Sequence, residues 1–416
     1  MSIESPTKLG EPVLRWSARA HSIDEIETQL ARIWSSPDLV TQIDGEDTRH
    51  IAARTSVMNL VVVARRPELA ERCASTIQSL TGRHPSRTIV IQSADPDGPS
   101  WQDARVEAHC MLPRADAPEI CAETIHLTCG GESGRHLAAI ATPLIVHDLP
   151  VTVWWPGEPP FTSRSARDLL AAADRLVVDG STWNGDGLAK LGEMADLLRT
   201  SRLSISDFAL VRQSRWREAI ASTFDDPDFL PYLRSIRRIA VTYGTHDETG
   251  ALGSTNLVKP IYHVGWLASR LGLTVVKPLA PVAESAKIGG AFRAQHGNRS
   301  RPAMARGLAA TLSDGRAEVA VVIRPVSSTM PAGTTLRVEL LAVLRGSELR
   351  TDVTAEAETV HVRVWQDGVE VLERGFRAAR RTDVDLLAEA IESGRQDPVA
   401  NGALRAAAAI AGNGRT

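Results

Sequence analysis

The sequence predicts an α/β protein: a helix-covered, largely parallel sheet followed by an antiparallel, β-rich C-terminal part, α+β taken as a whole. Three observations carry that prediction. From Ile51 to Leu271, apolar runs of strand length alternate with helical patterns, the grammar of a parallel sheet flanked by helices. Beyond about Pro281 the helices give way to short Val- and Leu-rich runs joined by Asp-Gly turns, the signature of hairpins. At 416 residues the chain exceeds one ordinary core, so about two or three domains are expected.

Residues 1–20 read as a loose arm. Ser22 with Glu25 three positions on makes a capping box, which gives orphan backbone N–H groups their partners. Ile23, Ile26, Leu30, Ile33 and Trp34 then line one helix face, and Ser35-Ser36-Pro37 stops it. Such a helix must dock on its own body or on a partner. Val57–Ala64 reads as a buried strand, Pro67–Leu80 as a helix, and Arg87–Gln92, Val106–Met111 and Glu123–Thr128 as strands. A Gly-rich turn, a helix over Arg135–Val146 and the strand Pro150–Trp155 follow, and Pro156-Gly157-Glu158-Pro159-Pro160 breaks the chain. The alternation resumes with helix Ala166–Ala173, strand Arg175–Val178, helix Leu188–Arg199 and a long helical stretch over Trp216–Arg237 interrupted by Pro227 and Pro231. Strand Arg238–Tyr243 and helix Asn256–Leu271 complete the parallel part. The antiparallel part comprises Arg306–Leu312, Ala317–Arg324, Thr335–Leu344, Thr359–Trp365 and Glu370–Phe376; a helix at Asp385–Ser393 and an Ala-rich helix or fraying tail at Ala403–Gly412 end the chain. The expected organisation is an arm and docking helix at 1–50, an α/β domain at 51–165, a second domain at 166–396 and the tail at 397–416. An alternative boundary falls near residue 281.

Composition narrows the function. Hydrophobic residues at 43% and charged residues at 23% define a soluble globular chain. A net charge of −3 supplies no global field to hold nucleic acid or an anionic membrane. No apolar run approaches the roughly 20 residues of a membrane span, and Met1–Gly10 lacks the apolar core of a signal peptide. Cys73, Cys110, Cys121 and Cys129 show neither C-x-x-C nor a framework spacing. A reducing cytoplasm follows as the expected compartment.

Few residues offer chemistry. Gly130, Gly131, Ser133, Gly134 and Arg135 sit between a strand and a helix, where glycines and free N–H groups can cradle an anion. They match neither G-x-G-x-x-G nor a Walker loop, and the plainer reading is a turn whose glycines serve geometry and whose Ser133 caps the helix. His147 beside Asp148 could form half of an acid/base pair. Trp154 and Trp155 alternate on one strand, so one enters the core while the other meets a second layer, a ligand or a partner. His109, Cys110, Cys121, His126 and Cys129 invite a zinc reading, but no paired hook exists and their facing parity conflicts. Buried thiols acting as small apolar groups fit better. Asp225-Asp226-Pro227-Asp228 reads as a solvated bend, and Tyr243–Glu248 as a loop at a strand end. No catalytic constellation, metal site or cofactor site is expected.

Three segments carry a resemblance: Pro143–Pro160 (PLIVHDLPVTVWWPGEPP); Ala173–Gly180 (ADRLVVDG) with Ser214–Asp226 (SRWREAIASTFDD); and Gly265–Leu273 (GWLASRLGL). Together with the helix ending Leu30-Ala31-Arg32-Ile33-Trp34, they resemble the glucose-6-phosphate dehydrogenase assembly protein family, OpcA. The similarity runs from about Ser22 to Leu273 and more loosely beyond. The resemblance implies a non-enzymatic partner of glucose-6-phosphate dehydrogenase that promotes its active oligomer and activates it allosterically. In photosynthetic members it also implies control through cysteine redox state, although none of the four cysteines here matches a regulatory pair. It brings no catalytic residues. Trp154 or Trp155 is the expected partner anchor, with Pro156, Glu158 and Pro160 as its rim.

Overall fold

Residues 13–20, read from the sequence as loose, form the edge strand β1 (Val13–Ala20), paired antiparallel with Trp101–Met111. Arg15 and Arg19 interrupt its apolar residues, as suits an edge, and this masks the period-2 signal. The computed structural model describes residues 9–35, 40–42, 49–51, 53–94, 97–114, 119–246, 255–282, 307–356, 358–394 and 397–413; the predicted stop at Ser36-Pro37 and the loop residues Asp247 and Glu248 lie outside them. Helix α1 (Ile23–Ser35) begins where expected but with half of the capping box: the Ser22 hydroxyl accepts the Glu25 N–H at 3.2 Å, while the Glu25 carboxylate takes the His21 N–H at 2.8 Å in place of that of Ser22. It docks on its own sheet: Ile26, Leu30 and Ile33 are buried, and the Trp34 indole N–H donates to Glu123, which also takes the Arg87 Nε–H at 2.6 Å.

The short strands β2 (Val40–Gln42), β3 (Arg49–Ile51) and β4 (Ala53–Arg54) lead into β5 (Met58–Ala64), buried along its whole length. Next come α2 (Pro67–Gln78), β6 (Ser86–Ser93), β7 (Trp101–Met111), β8 (Ile120–Gly130), α3 (Leu137–Ala141) and β9 (Val151–Trp155). The helix expected over Arg135–Val146 shrinks to α3. Gly131–Arg135 winds into a 3₁₀ turn, and Pro143, lacking an N–H, falls in another over Thr142–Leu144. The alternation continues through α4 (Arg164–Ala171), β10 (Arg175–Val178), α5 (Leu188–Thr200), β11 (Ser204–Asp207), α6 (Phe208–Val211) and α7 (Ser214–Phe224). The helix predicted to reach Arg237 ends at Phe224, and Leu230–Ser235 is a 3₁₀ turn around Pro231. The remainder is β12 (Ile236–Thr245), α8 (Val258–Leu271), β13 (Thr274–Pro281), β14 (Leu308–Ser313), β15 (Glu318–Ser327), β16 (Thr335–Leu344), β17 (Ser347–Glu356), β18 (Thr359–Gln366), β19 (Val369–Arg377), α9 (Asp383–Glu392) and α10 (Pro398–Ile410).

The chain divides into two compact units, both discontinuous. Met1–Asp179, Ser201–Asp207 and Thr382–Arg395 make the first; Gly180–Thr200, Phe208–Arg381 and Gln396–Thr416 make the second. In the first, the sheet runs β1-β7-β8-β6-β5-β9-β10-β11, with β4 beside β8. Every neighbouring pair from β8 to β11 is parallel, while β1–β7 and β7–β8 are antiparallel. Helix α9 joins this unit through Arg175, whose guanidinium donates to the Ala390 carbonyl at 2.5 Å, the Ser393 hydroxyl at 2.7 Å and the Ser393 carbonyl at 2.6 Å. A cation there satisfies the carbonyls a helix leaves open at its C-terminus.

The second unit's sheet runs β13-β14-β15-β12-β16-β17-β18-β19 and is antiparallel except for β12–β15. The sequence pattern assigns β12 to the parallel part. Its pairing is set instead by strands far along the chain, Ile239 lying opposite Val321 and Leu340. Ile239, Val241, Val321, Ile323, Val338, Leu340, Val362 and Val364 fill one face. Arg238, Arg324, Arg337, Glu339 and Asp352 alternate onto the other, where Arg337 bridges Asp352 at 2.7 Å and Glu339 at 2.9 Å. The Ala-rich end is a packed helix: Asp397 caps α10 through the Val399 and Ala400 N–H groups. Gly265 on α8 lets it approach so closely that a Cβ there would lie 2.6 Å from the Ala403 carbonyl oxygen. His263, also on α8, is 0% exposed, tilted against Trp216 with ring centroids 5.2 Å apart, and neither ring nitrogen has a hydrogen-bond partner.

Candidate functional site

Six parallel strands present their carboxyl ends along one edge of the first unit's sheet, and both segments singled out by the sequence sit there. Gly130 closes β8 and Trp155 closes β9, with β6 and β5 between them, a separation of about 14 Å at ordinary strand spacing. His147 and Asp148 lie at the opposite, amino end of β9, exposed, with Asp148 at φ 65°. Five strand residues set them roughly 16 Å from that edge, so His147 is out of reach as a base for the Gly130–Arg135 turn. The reason for the turn at 146–149 is structural. The buried Asn59 side chain donates to the Val146 and Leu149 carbonyls at 2.9 and 3.3 Å and accepts the Val146 N–H at 2.8 Å, and Asp174 takes the Val151 N–H at 2.9 Å.

Trp154 and Trp155 are 2% and 6% exposed. Trp154 stands between Val62 of β5 and Val177 of β10 in register, and Trp155 beside Val178. Of the outcomes the alternation allowed, core and second layer are realised, because this parallel sheet buries both its faces. The segment then turns outward: Pro156 and Pro159 are buried, Pro160 is half-buried, and Glu158 is exposed. The Phe161 N–H bonds the Pro159 carbonyl at 3.1 Å, and the Ser163 N–H the Pro160 carbonyl at 2.8 Å, closing a stiff loop at the start of α4.

The Gly130–Arg135 turn is filled by its own chain. A Cβ on Gly130 would lie 2.3 Å from the Trp101 indole nitrogen, and one on Gly131, at φ 58°, would lie 2.5 Å from the Gly98 carbonyl oxygen. Arg135 pairs with Asp97 at 2.8 Å. Ser133 does not cap the following helix; the Leu137 N–H goes to the Ser165 hydroxyl at 3.1 Å. Trp101, packed over the turn yet 45% exposed, is a surface aromatic that sequence reasoning passed over because it opens a strand of mixed polarity.

The cysteines need one correction. Cys110 and Cys121 face each other in the β7–β8 register and form a disulfide, rather than two free buried thiols. The pairing depends on hairpin register, which cysteine spacing alone does not reveal. Cys73 and Cys129 are free and buried; burial pushes their thiols up to about 12 and about 11, which keeps them unreactive. Among the described residues, Cys110, Glu119 and Cys121 form a metal-like grouping, but the disulfide takes both sulfurs and Arg15 pairs with Glu119 at 3.1 Å. His109 and His126 both turn to Glu107, at 3.8 and 3.3 Å, and burial holds the His109 imidazole below its ordinary value against the pull of that carboxylate.

This geometry defines a class: a two-unit protein joining a largely parallel, helix-flanked sheet to a broad, mostly antiparallel one. Two family models match in tandem, the glucose-6-phosphate dehydrogenase subunit N-terminal domain over residues 77–196 and its C-terminal domain over 203–404. The chain belongs to the OpcA family of glucose-6-phosphate dehydrogenase assembly proteins. It is 28% identical over 199 residues to an OxPP cycle protein OpcA from Synechocystis sp., a match taking in 48% of this chain and 39% of that protein. The aligned part thus spans about two fifths of the relative's length. Among solved structures, biliverdin reductase from Synechocystis sp. shows 12% identity and a TM-score of 0.45 over 86% of this chain and 99% of its own. The oxidoreductase YvaA from Bacillus subtilis shows 10% identity and a TM-score of 0.45 over 86% and 96%. Scores at that level carry no argument about cofactor or reaction. Among the described residues, no helix is long and apolar enough to cross a membrane.

Proposed function

We propose that this chain is a non-catalytic assembly factor and allosteric activator of glucose-6-phosphate dehydrogenase, acting in the cytoplasm in the oxidative pentose phosphate pathway by binding and stabilising the active oligomer. The tandem family match across residues 77–196 and 203–404 carries the reading. The mechanism is linkage: a partner that binds the active form more tightly raises its population by the difference in affinity. A coupling of about 1–3 kcal/mol changes substrate affinity roughly 5- to 150-fold. Steady-state kinetics and sedimentation of the cognate dehydrogenase, with and without this chain, test it; unchanged saturation and unchanged oligomer size would defeat it.

The contact we propose is the loop after β9. Glu158 and Pro160 form its outward rim, and Trp154, Trp155 and Pro156 pack behind it as a rigid base. Preformed loops dock with little ordering cost. Glu158→Lys, a change at an exposed position, slows association several-fold and alters its salt dependence. Equal association rates for parent and variant would move the contact elsewhere. The competing reading, a sugar-phosphate- or nucleotide-binding enzyme or sensor at Gly130–Arg135, has the filled turn and the Arg135–Asp97 pair against it. Stabilisation of the isolated chain by saturating glucose 6-phosphate would restore it.

A further inference from the structure

Apart from the two-residue β4, which lies parallel beside one end of β8, six parallel strands run side by side from β8 to β11; numbered in chain order β5, β6, β8, β9, β10 and β11, they lie as 3-2-1-4-5-6. That is the order of doubly wound domains that bind a dinucleotide outside the strands' carboxyl ends, at the point where the order reverses. Here the reversal falls between β5 and β9. Such a domain holds the pyrophosphate on a glycine-rich first turn, close to the backbone, with the free N–H groups of the next helix aimed at it.

The residues present do not fit that group. The first turn, from β5 to α2, is Arg65-Arg66, with no glycine. Arg66, extended at φ −101°, ψ 133°, carries a Cβ and a long side chain at a position where such a turn has glycine. Pro67 opens α2 without an N–H. The Leu69 and Ala70 N–H groups are both taken by the Arg66 carbonyl at 3.1 Å. Glu68, exposed in the first turn of α2, adds a carboxylate beside the position a pyrophosphate would occupy. Across the reversal, Pro156, Pro159 and Phe161 are buried in the loop after β9. The other glycine-rich turn on this edge, Gly130-Gly131, is spent on Trp101 and Gly98.

We infer that the first unit is a dinucleotide-domain framework that has lost its cofactor site: the chain binds neither NADP nor NAD, in oxidised or reduced form. Any nicotinamide dependence of its effect on a dehydrogenase then originates in the dehydrogenase alone. The inference stands on the strand order and the β5–α2 turn, independently of the proposed partner. Calorimetry of the full chain with NADP and NAD, and quenching of its tryptophans by NADPH, test it at low salt. The expected result is no saturable signal for dissociation constants tighter than about 1 mM. Saturable binding below that value overturns the inference. If Arg65→Ala/Arg66→Ala then abolishes that binding, the two arginines have replaced the glycines as the pyrophosphate cradle.

Discussion

A buried, unpartnered histidine makes the second unit acid-sensitive by a calculable amount. Burial, seconded by the nearby Arg217 charge, drives His263 down to about 3, whereas in the unfolded chain it titrates at about 6.5. The unfolded state therefore binds the extra proton first. The stability contribution is complete above pH 6.5 and is lost progressively as the pH falls towards the native value. Because pH 5 still lies well above that native value, the loss between pH 7 and pH 5 is set by the unfolded pKa and comes to about 2 kcal/mol, roughly a 30-fold change in the unfolding equilibrium. Urea denaturation of the parent and of His263→Phe at pH 7, 6 and 5 isolates the effect. Phe keeps a ring against Trp216 and removes two nitrogens that have no partner, so at pH 7 the variant is expected to be as stable as the parent, or up to about 1 kcal/mol more so. Its stability is expected to fall with pH more gently than the parent's, the gap widening by about 2 kcal/mol at pH 5. Parallel pH profiles for the two proteins would refute the reasoning.

Three further outcomes follow from the packing. Arg175→Ala strips the guanidinium from the Ser393 carbonyl and leaves the Ala390 carbonyl only the Ser393 hydroxyl at 2.9 Å, which is expected to cost about 1–3 kcal/mol. Amide exchange accelerated in residues 386–392 but not in β5 or β6 would locate the loss. Reducing Cys110–Cys121, which closes a loop of sequence separation 11, is expected to destabilise the first unit by about 3 kcal/mol on the loop-entropy estimate, read as a lower melting temperature that Cys110→Ser/Cys121→Ser reproduces without reductant. Gly265→Ala forces a methyl to 2.6 Å from the Ala403 carbonyl oxygen and is expected to cost about 1–3 kcal/mol despite Ala's better helix propensity; denaturation showing a gain instead would mean that α8 and α10 separate easily.

Elements whose cause is local were legible from the residues. The capped start of α1, the buried β5, and the Asp-Gly turns with positive φ at Gly315 and Gly368 appear where the sequence places them. What was not legible depends on partners distant in the chain. β1 shows itself as a strand only beside β7; Cys110 meets Cys121 only through hairpin register; β12 changes sheet because β15 and β16 claim both its edges. At the candidate site, the residues alone singled out the Trp154–Pro160 segment and the glycine turn. They could not show that the glycines serve Trp101 and Gly98, nor that His147 lies at the wrong end of its strand. Arg65-Arg66 escaped notice because two exposed arginines are unremarkable until the strand order puts them at the reversal point.

The threefold division of each unit also constrains the order in which the protein comes into being. Ser201–Asp207 follows at mid-chain, but Thr382–Arg395 completes the first unit only after almost the whole chain has left the ribosome. Contacts of such large sequence separation close late and slowly. The nascent N-terminal half, β11 included, therefore waits with the Arg175 guanidinium without its helix. A gene cut after Asp179 would yield a polypeptide lacking both β11 and α9, and neither unit can be excised as one continuous stretch of the gene.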